Sequence, residues 1–218
     1  MLETPITYGI IALTVLISYF GFQRPSFFNR YKHHPVVEHE QGEYLRLLSS
    51  GFLHADYTHL GINMFVFYNF GTIVELILTG QYRGFEHLSW TGWTGHFIFL
   101  ALYLSTVVLA NLSTFYSKRT DSGYSAIGAS GAVSGVLFCF VLFAPWSVLE
   151  LYFFIPIWAI LAAVMYLAYS QYASRRQRDN IDHAAHFWGA VAMPVLLVAL
   201  KPHVATHFLD RLVNDFPL

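Results

Sequence analysis

Ser130 stands between glycines in Ile127-Gly128-Ala129-Ser130-Gly131-Ala132, at the head of an apolar run, and Ala184-Ala185-His186 opens another run further on. A hydroxyl and an imidazole at the same end of two helices can serve as nucleophile and general base. The helix start beside Ser130 also carries backbone N–H groups that have no intrahelical acceptor. Such donors can stabilise a developing oxyanion. Taken alone, Gly-Ala-Ser-Gly is also consistent with a small-residue packing face between membrane helices, and His186 with an interfacial histidine bonded to water.

An imidazole at the start of a membrane helix is costly unless it is satisfied, which makes His186 a functional candidate. Gly189, one turn on, allows its helix to approach the helix of Ser130 closely. No acid completes a triad: Asp182 belongs to the preceding loop and reads as solvated, so the expected site is a dyad. His59 and Asn63 share one helical face. Two donors stacked there, with no carboxylate between them, suit a developing negative charge better than a metal. Their structural alternative is an interhelical hydrogen-bond pair.

The elements that must position these groups follow from composition. Of 218 residues, 56% are hydrophobic and only 11% charged, far below the quarter typical of soluble domains. The chain reads as an integral, multi-pass membrane protein. Net charge is near zero, which gives no footprint for nucleic acid. Cys139 is the single cysteine, so no disulfide framework is possible. A crossing helix needs roughly 17 to 25 mainly apolar residues, and six segments come close: about 6–22, 58–79, 93–112, 126–145, 149–170 and 184–200. The first run lacks a basic leader and reads as a retained span. The long first loop, about 23–57, should be structured. A very tight connection is expected at Pro145 and Trp146, a basic one at Arg175, Arg176 and Arg178, and a short polar extension after Lys201. Basic residues mostly share the face of the first loop, which the positive-inside rule alone assigns to the cytoplasm.

Gly-Ala-Ser-Gly, then Ala185-His186-Phe187-Trp188-Gly189, preceded by His59-x-x-x-Asn63 and Gly71-Thr72-Ile73-Val74-Glu75, resembles the rhomboid family of intramembrane serine proteases. The resemblance implies an all-α, six-transmembrane-helix bundle, a single rhomboid-like domain over 1–218. It implies Ser130 as nucleophile and His186 as general base and later acid. His59, Asn63 and the Ser130 amide form the oxyanion site, supported by Gly128, Gly131 and Gly189. Arg46 and His54 shape the first loop, and Glu75 is a buried structural carboxylate. No cofactor and no metal are called for; the partners are single-pass transmembrane substrates and the lipid bilayer.

Three positions depart from the family pattern. Leu45 stands where a loop tryptophan is expected. Ser134 replaces an aromatic that stacks on the histidine, so His186 must rely on other neighbours. Met193 replaces a second glycine after Gly189, which should loosen the lower half of the last helix. The family places the termini in the cytoplasm, against the charge count, and the expected location is a bacterial cytoplasmic membrane. Two rivals carry less: a histidine-ligated di-iron site, which leaves the glycine-flanked serine unexplained, and a non-catalytic client-binding relative, which should lack Ser130 or His186.

Overall fold

In the computed structural model, residues 3–151, 154–176 and 181–217 are described. Arg178, counted in the basic connection above, lies outside them. Proline sets the first elements: α1 (Pro5–Gln23), α2 (Pro25–Tyr31) and α3 (Pro35–Gln41) each begin on one. At a helix start the missing N–H costs nothing and the fixed φ is already helical. Gly42, at φ 72°, ends α3 in the left-handed region. A short α4 (Arg46–Ser49) and a 3-10 turn over Ser50–Phe52 complete the first loop, which is structured as expected.

Four longer helices follow: α5 (Tyr57–Leu78), α6 (Thr94–Lys118), α7 (Ser130–Phe143) and, after a hairpin, α8 (Ala159–Arg176). Then come α9 (His183–Leu200) and α10 (His203–Asn214). α7 is apolar on every side, and 11 of its 14 residues are buried. A helix hydrophobic all round belongs in the interior; α5, α6, α9 and α10 pack around it. Phe67, Phe99 and Tyr103 fill the α5–α6 interface, with Phe67 and Tyr103 rings 4.9 Å apart.

The helical membrane fold agrees with the sequence reading, but four expectations change. The span expected over 149–170 begins instead as an antiparallel hairpin, β1 (Val148–Leu151) paired with β2 (Ile155–Trp158). Pro156 removes a helical hydrogen bond and clashes with the preceding turn, and a short apolar run does not by itself distinguish strand from helix. The connection at Pro145 and Trp146 is therefore not tight. By length and apolarity α1, α5, α6 and α9 are able to cross a bilayer, whereas α7, expected over 126–145, has only 14 residues. The segment after Lys201 is a helix: Val204 and His207 of α10 are buried, and His207 Nε2 contacts the Phe143 carbonyl at the end of α7 at 3.1 Å.

Candidate active site

Ser130 is the first residue of α7, and the segment leading to it is tied to the first loop. Ala126 and His33 exchange two backbone hydrogen bonds of 3.0 Å, and Gly128 N donates to Ser50 O at 3.0 Å. Gly128 has φ +122°, a conformation that residues with a Cβ rarely adopt. A Cβ there would also stand 3.0 Å from His59 Cε1. Glycine thus turns the chain into α7 and lets the His59 ring lie beside the serine. Val133 N makes the first intrahelical bond, to Ala129 O at 2.9 Å, so the amides of Ser130, Gly131 and Ala132 precede it at the cavity.

Ser130 Oγ and His186 Nε2 are 2.7 Å apart. Their meeting is a consequence of how α7 and α9 cross. A Cβ on Gly189 would stand on the Gly131 carbonyl, 2.8 Å from its Cα. One turn on, the relation reverses. Met193 is fully buried, and its Cβ meets the place where a Cβ of Gly135 would be. The expected loosening at Met193 does not occur, because the space lost on α9 is supplied by glycine on α7.

Asp182 is half-buried rather than solvated. It caps α9 by accepting Ala185 N at 2.9 Å, and it also accepts Thr114 Oγ1 from α6 at 3.0 Å. Tyr124 lies near the same carboxylate, and burial, ahead of the charge of Asp182, pushes its phenol up. A carboxylate just before an apolar run is an ordinary helix N-cap signal, and that signal distinguishes Asp182 from a solvated loop residue. An aromatic ring does lie along His186, but it comes from α8: Tyr166 is near-parallel to the imidazole (22°, centroids 6.3 Å).

His59 and Asn63 differ in placement. His59 lines the cavity. Asn63 does not, because its Nδ2 donates to His59 O at 3.0 Å, a local bond always within reach of a short amide on a helix. His54 packs edge-on against His59 with centroids 4.9 Å apart. The Ser18 hydroxyl donates to Phe52 O, so His54 Nδ1 donates to Ser18 Oγ, at 2.9 Å in each case. Burial, then the neighbouring His59, pushes the His54 imidazole down to about 3; it is neutral. The cavity has a volume of about 480 Å³ and runs from Asp56 and His59 past Gly128 and Ser130 to Asp182 and His186. Among the described residues, no three His, Cys, Asp or Glu side chains are grouped as metal ligands.

A model of the rhomboid domain matches residues 41–201. The chain belongs to the rhomboid family. It is similar to Rhomboid protein 1, mitochondrial, of Saccharomyces cerevisiae, at 28% identity over 67% of this chain and 39% of that protein. It is likewise similar to RHOMBOID-like protein 12, mitochondrial, of Arabidopsis thaliana, at 27% identity over 74% of this chain and 48% of that protein. The chain thus spans less than half the length of these curated relatives. Both are named as mitochondrial, which overturns the expectation of a bacterial cytoplasmic membrane.

Within this rhomboid chain, Arg46 is buried and its guanidinium gathers the first loop. It donates to Glu43 at 2.7 Å, Asn29 O at 2.8 Å and Lys32 O at 3.2 Å. Arg46 also holds the Glu43 carboxyl below its usual range. Leu45, in the tryptophan position, is exposed. Glu75 is fully buried at the other end of α5, where it accepts Ile6 N, Thr7 N, Thr7 Oγ1 and a bond from His96 Nδ1, all within 3.0 Å.

Proposed function

We propose that this chain is an intramembrane serine endopeptidase that hydrolyses peptide bonds in or next to the transmembrane helix of single-pass membrane proteins. The 2.7 Å contact between Ser130 Oγ and His186 Nε2, in a cavity among membrane helices, carries the reading. His186 takes the Ser130 proton as Oγ attacks the scissile carbonyl, then delivers it to the leaving amine. Water, deprotonated by His186, next attacks the acyl-enzyme and frees Ser130. The Ser130 amide and His59, with Asn63 behind it, stabilise the oxyanion. An intact substrate helix keeps its carbonyls bonded, so it must unwind locally before attack.

The whole of 1–218 acts as one domain in this reading, with six helices in the bilayer. The names of the two relatives support a mitochondrial membrane as its location. The test is cleavage of a model transmembrane substrate and labelling by a fluorophosphonate, with purified wild type, Ser130→Ala and His186→Ala. Wild type cleaves and labels; both variants do neither. Cleavage that survives Ser130→Ala ends the proposal, and a wild type that binds substrate without cleaving or labelling supports a client-binding protein instead.

A further inference from the structure

We propose that Tyr166 of α8 is a positioning residue for His186, held in place by Ser134. The proposal rests on the protease reading and deepens it. Two observations meet at this tyrosine: its ring lies along the imidazole (22°, centroids 6.3 Å), and its Oη is 2.5 Å from Ser134 Oγ. Ser134 follows the nucleophile by one turn, and its hydroxyl donates to Ser130 O at 2.8 Å. A hydroxyl has a single proton. Ser134 spends it on Ser130 O, so Tyr166 is the donor in the second bond. The ring that faces the base is thereby fixed, through two hydrogen bonds, to the backbone of the nucleophile.

The neighbouring rings reinforce that placement. Phe138 of α7 lies 5.8 Å from Tyr166, between centroids, and covers it from within the bundle. One turn along α8, Tyr169 meets His183 edge-on at 5.5 Å, and His183 meets His186 edge-on at 5.9 Å. Residues three apart on a helix share a face. Tyr166 and Tyr169 on α8 therefore form two rungs against His186 and His183 on α9. An imidazole rotates about two side-chain bonds, and a ring parallel to it removes the rotamers that would turn Nε2 away from Ser130 Oγ. Ser134 is a small residue at a position facing α8, and the space it leaves is where the tyrosine tip enters.

A tyrosine that only packs α8 against the bundle would affect stability and not the turnover of folded protein. The experiment uses the full chain in detergent and measures kcat and KM on a model transmembrane substrate, the fluorophosphonate labelling rate across pH, and the melting temperature. The expected loss in Tyr166→Ala is about 10 to 100-fold in kcat, the scale of a misplaced catalytic group, with KM nearly unchanged and an altered pH profile of labelling. Tyr166→Phe keeps the ring and recovers most of that loss. Ser134→Ala matches Tyr166→Phe, and the double variant is no worse than either, because both substitutions cut one tie. Wild-type kcat and pH profile in Tyr166→Ala overturn the proposal, as does a loss that tracks melting temperature alone or additive effects of Ser134→Ala and Tyr166→Phe. If wild type itself neither cleaves nor labels, the protease reading fails and this one fails with it.

Discussion

Gly189 lies directly over the backbone of Gly131, with no room for a side chain between α9 and α7. That crossing sets the distance between Ser130 and His186, each within one turn of it. Gly189→Ala is expected to force the helices apart. Overpacking of this kind costs about 1 to 3 kcal/mol, and displacement by about 1 Å costs roughly 100-fold in rate. Fluorophosphonate labelling and melting temperature, measured together, should both fall. Unchanged labelling would mean that the helices give way without moving the pair.

His59 and Asn63 should not be equivalent, since only His59 faces the cavity while Asn63 donates to its own helix. Loss of an oxyanion donor costs about 100 to 1000-fold in turnover. His59→Ala is expected in that range, and Asn63→Ala an order of magnitude milder. Steady-state kcat on a model substrate decides; equal losses would show that the Asn63 amide turns to the cavity during reaction.

Asp182 joins two helices ahead of His186, accepting from the α9 amide of Ala185 and from Thr114 of α6. Removal of a capping side chain costs about 1 kcal/mol. Asp182→Ala should cost at least that in stability and also lower kcat, because the first turn of α9 carries the base. Asp182→Asn keeps an acceptor and should recover most of both. Thermal melts beside turnover rates make the comparison.

His54 makes stability depend on pH. Its folded value of about 3 lies below the ordinary 6.5, so the unfolded chain takes up a proton that the folded one refuses. The contribution is complete above pH 6.5 and is lost as pH falls from there toward 3, at up to about 1.4 kcal/mol per pH unit. Melting temperature in detergent should therefore drop from pH 7 to pH 5, and His54→Gln should flatten that part of the curve. An identical slope in the variant would assign the effect to other groups.

The long helices could be read from sequence because length and apolarity carry that information locally: α1, α5 and α9 fall within one residue of their expected limits, and α6 starts where expected but runs on to Lys118. Ser130 and His186 could be nominated because glycine beside serine and an imidazole in an apolar run are unusual in themselves. Tyr166 left no such mark. Its partners are 32 and 20 positions away on other helices, and nothing along α8 separates that tyrosine from Tyr169 or Tyr172. The β1–β2 hairpin was hidden by apolar composition, although Pro156 pointed against a helix. Arg46 was placed by resemblance, while the carbonyls it gathers became visible only once the first loop had a path.

Glu75 has a bearing on the order in which the molecule assembles. The amides of Ile6 and Thr7 at the start of α1 find their acceptor on α5, sixty-nine and sixty-eight residues later, with His96 of α6 on the same carboxylate. During synthesis α1 is made before α5, and this carboxylate is not yet there for those amides. Its start is satisfied only when α5 has followed it and turned Glu75 inward. A helix made earlier is therefore completed by a later one, and a chain released before α5 has entered the bilayer carries an α1 whose leading amides lack this carboxylate.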